Sequence, residues 1–280
     1  MADTAAALQL TRRQTAGSVT ARGLLFTVLG EFVLPGGGSA WTAAVIDVLG
    51  QVGIEEKAAR QALARTAADG WLTAERSGRR TCWRLTGSAE HLLTDGAARI
   101  YGFTGVRRHW DGRWLLVLAR APEADRPARH LLRTRMAWAG FGSPAPGVWI
   151  SPGSDQAGAA QRVLADAGLL DGAHIFTAEH QAGGELASMA RAAWDLAGIE
   201  RRYEQFISEF VGPPAAADPL ARLTGLVHAW RRFPWIDPVL PAALLPDGWS
   251  GSRAAGLFGQ RHAEWSPAAV ARWQLINSQA

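Results

Sequence analysis

Apolar residues along this chain follow two different periods, and the change between them divides the sequence. Through the first hundred residues they recur at helical spacing. Leu24, Leu25, Val28 and Phe32 mark the inner stripe of a helix over Ala21–Leu34, with Thr20 placed to cap it. Pro35-Gly36-Gly37-Gly38-Ser39 interrupts the chain, and Trp41, Val45, Ile46 and Leu49 predict a second helix over Trp41–Leu49. The third segment, Val52–Leu85, organises the rest. Gly53 marks a turn, and Glu55 and Glu56 stand in a first helical turn, where acidic side chains suit the macrodipole. At 100° per residue, Ala59, Ala62, Leu63, Thr66 and Ala67 gather on one face, and Lys57, Arg60, Gln61, Ala64, Arg65 and Ala68 on the other. Gly70 ends the helix. Trp71–Arg76 and Thr81–Leu85 then read as two short strands joined through Ser77-Gly78-Arg79-Arg80. Helix, turn, helix and hairpin in this order predict a winged helix-turn-helix over residues 18–86.

Thr86–Ile100 is helical again, and within residues 87–112 it reads as a linker followed by a break rich in Gly and Arg (Arg107, Arg108). After that the period changes. Trp114–Ala119 is a continuous apolar run, as expected of a strand buried on both faces. A helix over Ala128–Gly140, a strand over Gly147–Ser151, a helix over Gln156–Ala167 and a strand over His174–Ala178 follow. This alternation across residues 113–182 predicts a small ferredoxin-like α+β domain. From residue 186 to 280 the pattern is helical, with a long amphipathic segment over Ala187–Phe210, another over Leu220–Arg232, a proline-punctuated stretch over Asp237–Gly251, and two last helical segments, Ser252–His262 and Pro267–Ile276. The fold class is therefore multidomain α+β, with an N-terminal winged helix-turn-helix, a central ferredoxin-like domain and a C-terminal helical domain. Residues 1–17 read as a mobile polar tail.

Charge changes this picture by location rather than amount. The net charge of the 280 residues is only +4, yet Lys57–Arg84 holds seven basic residues (Lys57, Arg60, Arg65, Arg76, Arg79, Arg80, Arg84) against Asp69 and Glu75. An α-helix fits the DNA major groove, Arg and Gln read base edges, and Arg and Lys neutralise phosphate. Lys57, Arg60, Gln61, Ala64 and Arg65 are thus candidate groove contacts, and Arg76, Arg79 and Arg80 candidate backbone contacts. Cys82 is the only cysteine, which excludes an intrachain disulfide and fits a reducing compartment. No apolar run reaches the ~20 residues that span a bilayer, and Met1–Arg13 lacks the layout of a signal peptide, so the expectation is a cytoplasmic protein without a membrane partner.

Four stretches stand out in order: Arg22-Gly23-Leu24-Leu25 through Gly30-Glu31 to Asp69-Gly70-Trp71-Leu72; Gly140-Phe141-Gly142 with Pro146-Gly147-Val148-Trp149-Ile150; Ala193-Trp194-Asp195-Leu196 with Tyr203 and Phe206; and Trp230-Arg231-Arg232-Phe233-Pro234 with Asp237-Pro238, Leu240-Pro241, Leu244-Leu245-Pro246 and Gly248-Trp249. Together they resemble the PaaX family of bacterial transcriptional repressors. The resemblance implies a homodimeric repressor of a phenylacetate-type catabolic operon that binds double-stranded operator DNA and is released by an aryl-coenzyme A effector such as phenylacetyl-coenzyme A. It also implies a middle domain similar to the small CRISPR-associated adaptation nucleases. Thr66 departs from the family pattern, which has an apolar residue there, and Cys82-Trp83 departs from the usual hairpin pairing.

An active nuclease of that kind needs carboxylates at the end of its first strand to hold a metal. Leu118-Ala119-Arg120-Ala121-Pro122 offers none, and Glu123 and Asp125 follow the proline. His174 and His180 beside Glu179 invite a metal reading but have the sparse spacing of structural or solvated histidines. We expect no catalytic residues, no metal and no cofactor. An acyl-coenzyme A effector needs cations for its phosphates and an apolar pocket, and the C-terminal half offers Trp194, Arg201, Arg202, Tyr203, Trp230, Arg231 and Arg232. A same-family regulator responding to another acyl-coenzyme A or small acid is the alternative.

Overall fold

The structure is a computed structural model that describes residues 20–105, 110–122, 125–153, 155–213 and 218–279. The expected N-terminal tail, Arg107, Arg108 and Glu123 lie outside the described residues. The chain is a mixed α+β protein with two small antiparallel sheets. It divides into two compact units. One takes its residues from Met1–Thr104, Phe206–Arg232 and Ala255–Ala280, the other from Gly105–Gln205 and Phe233–Ala254.

In the first unit, α1 (Ala21–Val28) begins at Thr20, whose side chain accepts from the Gly23 amide. The expected single helix to Leu34 is not continuous. At Leu29–Val33 the backbone widens into a π turn, with the Leu34 amide bonded to the Leu29 carbonyl at 2.8 Å. The extra residue in that turn carries Glu31 inward together with Leu29, Phe32 and Val33. The glycine run that follows closes the turn. A Cβ on Gly36 would lie 2.7 Å from the Phe32 carbonyl oxygen.

Ser39–Trp41 is a strand, β1, and α2 (Thr42–Gln51) starts after it, so Trp41 belongs to a sheet rather than to the helix. The expected core of α2 is right at Val45 and Leu49 and missed Val48. Helix α3 (Glu56–Ala68) buries Ala59, Ala62, Leu63 and Thr66, and hairpin strands β2 (Leu72–Ser77) and β3 (Arg80–Leu85) follow. The sheet order is β1-β3-β2, and Ser77 pairs with Arg80, leaving Gly78-Arg79 as a two-residue turn. Thr42 Oγ1 donates to the Thr81 carbonyl at 2.9 Å and accepts from Trp83 Nε1 at 2.9 Å, which fixes the hairpin to α2.

Helix α4 (Gly87–Tyr101), expected to act as a linker, is capped by Thr86 and lies within this first unit. The C-terminal segments complete the unit. Arg261 of the long last helix donates to the carbonyls of Phe210 and Val211, and Trp273 stacks on Phe32 at 5.7 Å. Trp230 is fully buried among Phe206, Phe103 and Phe258.

The second unit runs β4 (Arg113–Leu118), α5 (Arg126–Trp138), β5 (Gly142–Ala145), β6 (Val148–Pro152), α6 (Ala157–Asp166) and β7 (His174–Glu179), with sheet order β5-β6-β4-β7 and every neighbour antiparallel. Its core joins Leu115, Val117 and Trp149 of the sheet to Leu132, Met136 and Leu164 of the helices. The expectation that β4 is buried on both faces fails at one end. Leu118 is 37 % exposed and Phe176, on the neighbouring strand, 48 %. Elsewhere on that face Gly142 admits the Trp194 ring, and a Cβ there would sit 2.5 Å from a ring carbon. The helix α7 (Leu186–Ala193) leads to this tryptophan, and α8 (Leu196–Phe210) follows it.

Two outcomes follow from this packing. Gly142→Ala displaces the Trp194 ring and should destabilise the protein by about 1–3 kcal/mol, read as a lower denaturant midpoint. His228, on α9 (Pro219–Trp230), has its pKa lowered from 6.5 to about 4 by burial and by the charges of Arg231 and Arg232. The unfolded chain therefore takes up a proton from pH 6.5 downward that the folded chain refuses until about pH 4. Stability is lost as pH falls through that window and is unaffected above it, so His228→Gln should flatten the acid-side decline of the midpoint.

Candidate nucleic-acid interface

Helix α3 has two unlike faces because small residues sit inside and long-armed residues outside. Leu63, Ala59 and Thr66 are fully buried and Ala62 nearly so. Thr66 occupies its apolar slot by donating its hydroxyl to the Ala62 carbonyl at 2.7 Å, which satisfies the polar group within the helix itself. Opposite them, Lys57, Arg60, Gln61, Ala64 and Arg65 are all exposed. Glu56, Lys57, Arg60, Gln61 and Ala64 line an open depression of about 570 Å³. Ala64 leaves room between its longer neighbours, so the surface can approach a curved polyanion closely.

Arg60 is not unrestrained. Its Nε and Nη2 lie 2.8 and 2.7 Å from Glu56 Oε1. Both side chains are more than half exposed, so the pair contributes at most about 1 kcal/mol and gives way readily to a stronger anion. On the hairpin, Arg76 and Arg79 are exposed, with Arg79 at the turn beside Gly78, whose φ of +60° suits glycine. Arg84 is paired with Glu75 at 2.7 Å. Arg80, expected to hold phosphate, lies with its guanidinium 4.9 Å from the centre of the Trp41 ring and within the β3 ladder. That ring is in place because Trp41 belongs to β1, beside β3.

The residues expected to meet an effector are divided between the two units. Within the second unit, Trp194 is half-buried and donates Nε1 to the Gly140 carbonyl at 3.3 Å. Tyr203 is fully buried, stacked 4.2 Å from Phe233, and donates to the buried Asp237 at 2.7 Å. Arg201 is exposed and Arg202 half-buried. Within the first unit, Trp230 donates to the Ile100 carbonyl and Arg231 donates to Gly23 and Thr27 of α1. Burial pulls Arg231 down to about 10, which leaves it cationic at neutral pH. Arg232 is half-buried. Tyr203 and Trp230 are thus built into cores, where aromatic stripes at helical spacing usually go, and the half-buried Arg231 is tied to α1; Arg201 is the exposed cation of the set.

Among the described residues no group of three or more His, Cys, Asp or Glu side chains is arranged to hold a metal ion. The histidine pair beside Glu179 resolves otherwise. His174 stacks on Phe176 and Glu179 pairs with Arg113 at 3.2 Å. Sequence reasoning passed over Glu31, Thr27, Tyr101, His228 and His262, which the fold joins at α1. The one available signal was Glu31 itself, a carboxylate inside an otherwise apolar stripe.

Fold and surface together define a multidomain α+β protein that displays a basic helix and a basic hairpin. Residues 20–89 match the family described as PaaX-like protein, residues 107–190 the PaaX protein central Cas2-like domain, and residues 194–274 the PaaX-like protein C-terminal domain. The chain belongs to the PaaX family. It is 30 % identical over 266 residues to the transcriptional repressor PaaX of Escherichia coli (strain K12), across 90 % of this chain and 83 % of that one. Among solved structures it is similar to the uncharacterized protein Rv0674 from Mycobacterium tuberculosis, with a TM-score of 0.61, 24 % identity, and coverage of 91 % of this chain and 99 % of that one. This second likeness concerns the fold alone. No helix of the described residues is long and apolar enough to cross a membrane.

The different placements of the two hairpin arginines separate their expected effects. Arg79→Ala should weaken binding to every duplex and reduce the slope of log affinity against log salt by about 0.9, one phosphate contact. Arg80→Ala should mainly lower the thermal midpoint, through loss of its stacking on Trp41, and leave most of that slope intact.

Proposed function

We propose that this chain is a cytoplasmic, homodimeric transcriptional repressor whose residues 18–86 form a winged helix-turn-helix that reads operator DNA. The carrying observation is the two-sided helix α3, with Ala59, Leu63 and Thr66 buried behind and Lys57, Arg60, Gln61 and Arg65 exposed in front. Lys57, Arg60, Gln61 and Arg65 contact bases or phosphates in the major groove, while Arg76 and Arg79 hold the backbone. Two such helices in a dimer meet half-sites spaced by whole turns, roughly 10 base pairs each, in a near-palindromic operator. The printed name of the Escherichia coli relative, a transcriptional repressor, supports the direction of control.

The central strand–helix–strand–strand–helix–strand unit is a ferredoxin-like domain serving as a scaffold and not as a nuclease, since β4 runs out into Ala119-Arg120 without a carboxylate to hold a metal. The regulated genes encode catabolism of an aromatic acid of the phenylacetate type, and an aryl-coenzyme A thioester such as phenylacetyl-coenzyme A releases the protein from DNA. Release is a population shift, with the effector binding more tightly to a dimer in which both basic helices cannot engage one operator. Arg201, Arg202 and Arg232 are the cations of the C-terminal half proposed to meet its phosphates.

Selection from a random duplex library, followed by mobility shift with a panel of acyl-coenzyme A thioesters, tests this. The protein should enrich a near-palindrome, and one aryl thioester should abolish the shifted band. Arg60→Ala should alter the base preference at one position of each half-site by about 1–3 kcal/mol. Failure to enrich any sequence would remove the DNA-reading function, and enrichment with no response to any thioester would remove the effector class.

A further inference from the structure

Helix α1 and its π turn are gripped at two positions four residues apart. At the first, Thr27 Oγ1 accepts from Arg231 Nη1 at 3.0 Å and lies 3.0 Å from His228 Nδ1, while Arg231 also donates to the Gly23 carbonyl at 3.1 Å. At the second, the Glu31 carboxylate accepts from the Tyr101 hydroxyl and from His262 Nε2, the latter at 2.9 Å. Glu31 is only 8 % exposed. Burial and the neighbouring carboxylate raise the Tyr101 hydroxyl above its ordinary range, so it remains a donor. Its ring, 39 % exposed, packs to one side against Phe258 at 6.2 Å and His262 at 5.2 Å. The gripping residues come from three distant stretches: α4, α9 and the last helix, Gly251–Gln279.

The same helix α1 holds the basic helix. Arg22 Nη2 lies 2.6 Å from Asp69 Oδ2 at the C-cap of α3, and Phe26 meets Trp71 edge-on at 6.5 Å. Leu24, Leu25, Val28 and Leu29 are buried to within 2 % of complete. A displacement at Glu31 therefore has a stiff path to α3, because close-packed helices move as bodies rather than deform.

A buried carboxylate on a π turn is a poor choice for stability alone. Replacing a buried polar cluster by apolar residues of similar volume is often neutral or stabilising, whereas hydrogen bonds of fixed direction select one arrangement. We infer that Glu31, held by Tyr101 and His262, is a positioning residue for DNA reading: it fixes the orientation in which α1 presents the basic helix, so that sequence discrimination depends on a grip supplied by the C-terminal helix. The inference rests on the proposed DNA-reading function for its biological meaning but has a readout independent of it.

The variants are Tyr101→Phe, which keeps the ring and deletes one hydroxyl, and His262→Leu, which deletes the imidazole donor. None of the residues changed lies on the basic face. Two measurements on the full-length protein apply: affinity for the duplex enriched by the wild type against affinity for mixed-sequence duplex, and amide hydrogen exchange across Glu56–Ala68 and, as a control, across β4 and β6. Each variant should bind the enriched duplex about five-fold more weakly, the equivalent of one ordinary hydrogen bond. Mixed-sequence affinity should change less than two-fold, since phosphate-contacting charges are untouched. Exchange should quicken in Glu56–Ala68 and stay constant in the control strands. Equal losses for both duplexes, or unchanged exchange in Glu56–Ala68, would overturn the inference. Should the wild type enrich no sequence, the DNA-reading function falls, and the exchange experiment still decides whether Glu31 positions α3.

Discussion

A row of arginines on a helix discriminates among sequences only if the helix behind it is held still, and in this chain α1 holds it. Its apolar side is almost completely removed from water, and at its polar positions it meets Asp69, Arg231, His228, Tyr101 and His262. Burial of Leu24, Leu25, Val28 and Leu29, at about 1.5–3 kcal/mol for each side chain, supplies the adhesion. Polar grips of about 1 kcal/mol each supply the direction. The two roles are complementary, because adhesion without direction permits sliding by one ridge into the next groove, as helix surfaces repeat along their axes.

Legibility from sequence tracked how local the determining forces were. The two faces of α3, its end at Gly70 and the hairpin were readable because period, propensity and turn chemistry lie within a few residues of one another. Thr20 as the cap of α1 was readable for the same reason. The π turn was not, since nothing in Leu29–Val33 is a poor α-helix former apart from Gly30; the widening is tied to where Glu31 finds its partners, 70 and 231 residues away in sequence. β1 escaped notice because three residues give no period, and its strand pairing comes from β3. Arg80 stays exposed as expected, but its rest on the Trp41 ring could be foreseen only with Trp41 placed in the sheet.

The aromatic residues of the C-terminal half show the opposite limit. Tyr203, Trp230 and Trp194 stood beside paired arginines, and that pattern suits a ligand pocket as well as a core. Composition cannot separate the two, because both need large rings with a polar edge that finds a partner. Each of the three donates to a specific protein acceptor: Asp237 for Tyr203, Ile100 for Trp230 and Gly140 for Trp194. A ring so engaged fixes the local chain path, and the exposed Arg201 nearby in sequence is left as the more reachable cation.

The division into units decides which side chains brace the basic helix. The first unit is not an N-terminal domain with appendages; Phe206–Arg232 and Ala255–Ala280 are part of its body. Helix α8 belongs to the second unit up to Gln205 and to the first from Phe206, and the last helix changes unit between Ala254 and Ala255. On the proposed function, the side chains that stabilise this unit are also those that orient α3, and substitutions around Thr27 and Glu31 should be read for both.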